Sequence, residues 1–258
     1  MQDNEWEYRL GGWGGAKTGV PLRHRPVIFV HGNTRDAGDW DEPGKSVKQR
    51  FLEAGYSLHE LWALSYNGKS TKLAAPAFQC RTDSRTNSPD LAAFIRAVLT
   101  YTGAPKVDLI AHSLGVMMVR NVLAEHADLS NRVANVVAIA GPNHGTTVCR
   151  RLWLIWFIGW GEFMGCDELV PGSAWLKQLN SSQGASEAPG SPRYMTIYDG
   201  TGADIFYRAW LFGWPVGDLD SPALTGAENQ RLPGLTHDDL RTDERAIATY
   251  LRFLLSSP

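Results

Sequence analysis

The chain has 258 residues, 43% of them hydrophobic and 20% charged, and its 25 Lys and Arg against 27 Asp and Glu leave a formal net charge of -2. This apolar content supports a large buried core, and the charge balance excludes the basic footprint of a nucleic-acid-binding surface. The length fits a single α/β domain over residues 1–258 carrying an insertion, or at most two small domains.

Residues 1–25 are polar and poorly patterned, with glycines at Gly11, Gly12, Gly14 and Gly15, and predict an extended lead-in over the surface. No basic stretch followed by an apolar core opens the chain at Met1–Leu10. That fits either a cytoplasmic protein or a secreted one whose leader is not among these residues. Pro26–Val30, PVIFV, is a β-prone run ending in His31-Gly32-Asn33, so a buried strand stops where open α/β sheets keep their sites. A loop with Arg35, Asp36, Gly38, Asp39 and Trp40 follows, then a predicted helix from about Gly44 to Ala54 closed by Gly55. Ser57–Leu64 predicts the next strand and Ser65–Asn87 a polar loop. Ser88-Pro89-Asp90 reads as a helix start, serine cap and proline at the first position, running to about Tyr101.

The stretch Lys106–Glu125, KVDLIAHSLGVMMVRNVLAE, changes period in the middle. Val107, Leu109 and Ala111 belong to a mostly apolar buried strand. From Val116 the spacing is helical, with Val116, Val119, Val122 and Leu123 on one side and Arg120, Asn121 and Glu125 on the other. Ser113 stands at the turn between the two periods, flanked two residues away by the small Ala111 and Gly115. A turn this tight lifts the hydroxyl clear of the sheet in strained backbone geometry, and the helix that follows leaves the Leu114 amide free for an anion.

Arg132–Ala140 predicts another core strand, ending in Gly141-Pro142-Asn143-His144-Gly145-Thr146. The segment Arg150–Gly161, RRLWLIWFIGWG, is apolar almost all round and too short to span a bilayer. It reads first as a lid or rim for apolar substrate, with Trp153, Trp156 and Trp160 in an insertion over residues 145–180; a buried packing helix and a membrane-surface anchor stay open. Of three cysteines, Cys149 and Cys166 bracket this segment, so a disulfide between them or a set of free thiols is expected. Arg193–Tyr198 predicts a strand and Asp243–Leu255 a closing helix with Ala246, Ile247, Tyr250 and Leu254 inward. Strands alternating with helices predict a parallel sheet covered on both faces.

A serine hydroxyl attacks only when a base takes its proton, and the base must be oriented by a carboxylate. On strand-to-helix serine turns of this kind the acid and then the histidine follow in the chain. After Ser113 the histidines are His126, His144 and His237. His126 lies at the far end of the serine's own helix, and His144 leaves no strand before it to deliver the acid. His237, in a loop ahead of the last helix, suits the base. The acid candidates are Asp204 and Asp199; Asp204 is favoured because the acid must reach sideways, whereas Asp199 at the strand end suits an Asx turn. Exchange of each for asparagine is expected to leave turnover nearly intact at the wrong one. The amides of Leu114 and Asn33 are the expected oxyanion donors. His31 is expected to brace its loop, and His112 to pack or line the rim.

The pieces VIFVHGN, DLIAHSLG, NVVAIAGPNHGT, YMTIYDGTGADIF and GLTHDDL, in order between Pro26 and Leu255, resemble the α/β-hydrolase superfamily. More closely, the chain is similar to the bacterial class 2, Bacillus-type lipase group, which shares the alanine of A-H-S-x-G. The segment Cys166–Asn180 is similar to the stretch after the lid region in that group. The His-Gly-Asn turn also resembles extracellular polyhydroxyalkanoate depolymerases. The resemblance implies an α/β-hydrolase fold, a mostly parallel sheet with helices on both faces and a Trp-rich lid insertion. It implies a secreted, monomeric carboxylic-ester hydrolase without cofactor or metal that uses Ser113, Asp204 and His237. Its partners would be small-molecule or polymeric esters and a lipid or polymer surface, with no nucleic acid; a depolymerase of aliphatic polyesters is the alternative. The Trp-rich insertion is absent from the minimal Bacillus-type enzymes, so their open substrate access does not carry over.

Overall fold

A computed structural model describes residues 11–15, 20–66, 83–146, 149, 166–181, 184–211 and 214–256. Trp153, Trp156 and Trp160 lie outside the described residues. The elements in chain order are β1 (Gly11–Gly14), β2 (Val27–Val30), α1 (Val47–Glu53), β3 (Leu61–Ser65), α2 (Ser84–Thr102), β4 (Val107–His112), α3 (Leu114–Glu125), α4 (Ala127–Ser130) and β5 (Val133–Ile139). After these come α5 (Cys166–Leu169), α6 (Ala174–Ser181), β6 (Arg193–Tyr198), β7 (Ala209–Leu211), β8 (Trp214–Val216), β9 (Glu228–Arg231), α7 (Asp239–Thr242) and α8 (Glu244–Leu255).

Among the described residues, seven strands form one sheet in the order β1-β3-β2-β4-β5-β6-β9, and β7 and β8 make a separate hairpin. Only β1 runs antiparallel in the large sheet, with Trp13 opposite Ala63. The other five pairings are parallel. Parallel strands covered on both faces read as continuous apolar runs, and β2 is VIFV with all four residues buried. Alternate residues divide between two cores. Ile28, Val30, Leu109 and Val136 meet Leu91 and Ile95 of α2 and Val116 and Val119 of α3. Val27, Phe29, Ile110 and Val137 meet Val47 and Phe51 of α1 and Ile247, Tyr250 and Leu254 of α8. Full burial of such a side chain is worth roughly 1.5–3 kcal/mol, so these stripes, more than helix propensity, hold the helices on the sheet.

Four features depart from the sequence expectations. Helix α2 starts at Ser84, not Ser88. Asp83 caps it by accepting the Thr86 amide at 2.7 Å, and the Ser84 and Arg85 amides donate to the buried Glu168 carboxylate of α5 at 2.8 and 3.3 Å. A distant carboxylate therefore supplies what the first turn lacks, and Pro89 sits inside the helix. Ser88 is freed from capping; its hydroxyl donates to the Ser84 carbonyl at 2.8 Å. Second, α3 is buried on every side from Leu114 to Leu123, including Arg120 and Asn121. Its outer side carries a third apolar cluster in which Leu114 and Met117 meet Leu169, Leu176 and Leu179 of α5 and α6. Third, the stretch before β3 curls into a short 3-10 helix, Leu58–Glu60, because the buried Glu60 carboxylate accepts the Ser57 and His24 amides, each at 2.7 Å. Fourth, β9 is an edge strand of four polar residues, ENQR, with no apolar signal to announce it.

Candidate active site

Ser113 has φ 55° and ψ -123°, a left-handed backbone that a non-glycine residue holds at a cost of about 1–3 kcal/mol. The surroundings over-determine it. Its amide donates to the Ile139 carbonyl at 2.9 Å, tying the turn to the end of β5. Gly115 starts α3 directly against β2: a Cβ there would lie 2.4 Å from the His31 carbonyl oxygen. Gly32 is similarly close, its missing Cβ falling 3.0 Å from Ser113 Cβ. The serine and the His31-Gly32-Asn33 turn are thus neighbours because two glycines let backbones touch.

His31 is buried, and burial lowers its pKa to about 4, so the ring is neutral. Its tautomer follows from its partners: Nδ1 faces the Gly32 carbonyl at 2.7 Å and donates, while Nε2 accepts the Tyr66 amide at 3.1 Å. Tyr66 stacks on the ring at 3.9 Å and its hydroxyl donates to the His31 carbonyl at 2.7 Å. With the Gly32 carbonyl held toward His31, the planar trans peptide turns the Asn33 N–H the other way. Among the described residues, the amides of Asn33 and Leu114 enter no hydrogen bond.

The other half of the site rides on loops. After β6, Asp199 accepts the amides of Thr201, Gly202 and Ala203 at 2.9, 2.5 and 2.8 Å and the Thr201 hydroxyl at 2.5 Å. It also accepts the Gly234 amide at 2.7 Å, joining this loop to the one that carries His237. Burial alone would raise its pKa, but these donors override burial and hold it below the usual carboxylate value. Asp204, 2% exposed, meets the histidine: its Oδ2 accepts from His237 Nδ1 at 2.8 Å, and its Oδ1 accepts the Phe206 amide at 3.0 Å. With Nδ1 donating to a carboxylate, Nε2 is the ring nitrogen left to work. Among the described residues, no hydrogen bond joins Ser113 Oγ to His237 Nε2. Such bonds often close only around substrate.

His112 was expected to pack or line the rim, and it is wholly buried. Its Nε2 donates to the His237 carbonyl at 2.9 Å, and the two rings lie 4.7 Å apart. Burial, then the neighbouring His237, pushes its pKa well down, so the donor is a neutral ring. At the rim, Arg35 reaches Asp238 at 2.6 Å, clasping the Asn33 turn to the His237 loop. His126 ends α3, and His144 lies elsewhere, between the Ser221 carbonyl at 3.0 Å and Glu187 at 2.8 Å. Cys149 is disulfide-bonded; the side chain of Cys166 lies outside the described residues.

Residues 24–200 match the family model described as lipase (class 2). The chain belongs to the class 2 lipase family. A triacylglycerol lipase of Pseudomonas fragi is 31% identical over 161 residues, which cover 60% of this chain and 47% of that protein. This class 2 lipase chain thus spans about half the length of the curated relative it matches. Among solved structures, a Bacillus licheniformis lipase in mature form aligns with a TM-score of 0.65 at 17% identity, covering 92% of this chain and 97% of that one. Aspergillus fumigatus lipase B aligns at 0.63 and 16% identity over 95% of this chain and 60% of that one. Together with the strand order, these likenesses make the fold that of the α/β hydrolases. Asp204 and His237 lie beyond the matched stretch of the class 2 lipase model, and what joins them in the structure is the Nδ1–Oδ2 hydrogen bond.

Proposed function

We propose that this protein is a serine carboxylic-ester hydrolase acting through an acyl-enzyme on esters with apolar acyl groups. Ser113 is the nucleophile, His237 the general base and acid, and Asp204 the carboxylate that fixes the imidazole. The Asn33 and Leu114 amides receive the oxyanion. His237 Nε2 takes the Ser113 proton as Oγ bonds to the ester carbonyl carbon, and the negative charge moves to the carbonyl oxygen between the two amides. Collapse breaks the bond to the alcohol oxygen, which takes the proton from Nε2. Water then repeats the sequence on the acyl-enzyme and releases the acid.

The observation that carries this reading is the 2.8 Å hydrogen bond between buried Asp204 Oδ2 and His237 Nδ1. Family membership and the backbone strain at Ser113 support it. The insertion 145–180, with Trp153, Trp156 and Trp160, is read as a cap or lid, supported by α5 and α6 packing on α3 beside the serine turn. Disulfide-bonded Cys149 supports a secreted enzyme, since such bonds persist in oxidising compartments.

The test is active-site labelling with a fluorophosphonate alongside hydrolysis of p-nitrophenyl esters from acetate to palmitate and of a polyester emulsion. One adduct on Ser113, lost in Ser113→Ala together with all but a trace of turnover, is expected. An unlabelled Ser113, or a Ser113→Ala protein that still turns over, would overthrow the reading.

A further inference from the structure

We infer that Ile205 and Phe206 form an apolar wall for the alcohol part of the ester, so that this site selects its leaving group separately from its acyl chain. The inference rests on the ester-hydrolase reading above and adds a specificity element to it.

Three aromatic rings surround the His237 imidazole: His112 at 4.7 Å, Phe206 at 4.3 Å and Tyr207 at 6.4 Å. His112 and Tyr207 are buried, whereas Phe206 is 38% exposed and its neighbour Ile205 71% exposed. Single exposed apolar side chains need no explanation, but an exposed pair whose second member, Phe206, packs on the working imidazole does. Nor is this a loose loop tip. The Phe206 amide is held by Asp204 Oδ1 at 3.0 Å and its carbonyl by the Thr146 hydroxyl at 2.6 Å. The next residue is anchored too, the Tyr207 hydroxyl donating to the Ala140 carbonyl at 2.6 Å.

The chemistry says which part of the substrate comes here. The alcohol oxygen must take its proton from His237 Nε2, so it arrives within about 3 Å of that nitrogen. Its first carbons then lie along the imidazole edge, where Phe206 stands with the exposed Ile205 next to it in the chain. The carbonyl oxygen is held by the Asn33 and Leu114 amides at the turn of Ser113, so the acyl chain departs from the other side of the reacting carbon. Each methylene of the alcohol buried on this wall should raise kcat/KM by up to about fourfold, the equivalent of ~0.8 kcal/mol.

The test uses two sets of soluble esters: methyl, butyl and hexyl esters of one acid, and methyl esters of butyrate, hexanoate and octanoate. Simple alkyl alcohols differ little as leaving groups, so the first set reports contact, not electronics. The parent enzyme should favour hexyl over methyl on the order of tenfold. Ile205→Ser, at an exposed position where folding is not at stake, should bring that ratio down at least threefold while the acyl-length ratio stays put. An alcohol ratio that does not move, or an acyl ratio that falls by the same factor, would overturn the inference while Ser113-dependent hydrolysis persists. Undiminished hydrolysis by Ser113→Ala would instead remove the reading beneath it.

Discussion

Ser113 sits where β4 runs into α3, and its position is set by backbone packed on backbone: Gly115 against the His31 carbonyl, the Ser113 amide on Ile139. Asp204 and His237 sit on loops beyond β6 and β9, and side-chain hydrogen bonds set their positions: Asp199 gathering amides from both loops, His112 holding the His237 carbonyl. A site half made of close backbone contact fails abruptly, because no neighbour can yield. A half made of hydrogen bonds fails by degrees and responds to protons. Substitution and pH can therefore tell the halves apart.

The harshest blow to the serine half is Gly115→Ala, which drives a methyl group to 2.4 Å from a backbone oxygen. A loss of about 3 kcal/mol or more in stability is expected with turnover nearly gone, read by denaturant unfolding and p-nitrophenyl butyrate hydrolysis. A folded, active variant of normal stability would mean that the helix start has room to move.

On the loop half, Asp199→Asn should cost roughly 1–3 kcal/mol and lower kcat on the order of tenfold. Both carboxylate oxygens face N–H donors, so an amide NH2 must point at one of them. Exchange for asparagine should therefore cost more at Asp199 than reach along the loop alone suggests, while Asp204→Asn should spare the fold and lower kcat by about 10³-fold or more. Normal stability in Asp199→Asn would dissolve its bracing role.

Acid should loosen the structure through its buried histidines. His31 binds its proton near pH 4 when folded, against 6.5 unfolded, so the unfolded state holds more protons in that window. Stability then falls as pH drops from about 6.5 towards 4, by up to about 1.4 kcal/mol per pH unit for each such ring. His112, also lowered, acts in the same sense. Asp39, raised by burial to about 6 from 3.8, holds an extra proton when folded and opposes them between those values. Asp108, raised by burial, opposes them too. Burial would also raise Glu60, Glu187 and Asp199, but the amides they accept hold them below the ordinary carboxylate value, so they lose stability in acid alongside the two rings, and a net loss is expected. Imidazole 15N shifts should show His31 protonated at Nδ1 alone and His112 at Nε2 alone at pH 5.5, and a doubly protonated His31 there would refute the assignment.

The gentlest cut is His112→Leu, which removes the donor to the His237 carbonyl. Turnover should drop about three- to tenfold with KM almost unchanged and the acidic limb of the kcat profile displaced, and His112→Gln should recover part of the loss. A change in KM alone would make His112 mere packing.

Much of this was legible from local residues. The parallel strands announced themselves as short apolar runs, and the serine turn as two periods meeting at a small-residue site, because steric and hydrophobic demands there act over a few neighbouring positions. That Asp204 rather than Asp199 meets His237 followed from reach along one loop. Distance in the chain hid the rest. The start of α2 depends on Glu168, more than eighty residues away, the burial of Arg120 on Asn143, Asn180 and the Glu187 carbonyl, and the duty of His112 on a carbonyl 125 positions downstream. A side chain's type says what bond it is able to make, but when the partner is far along the chain, only folding decides which bond is made.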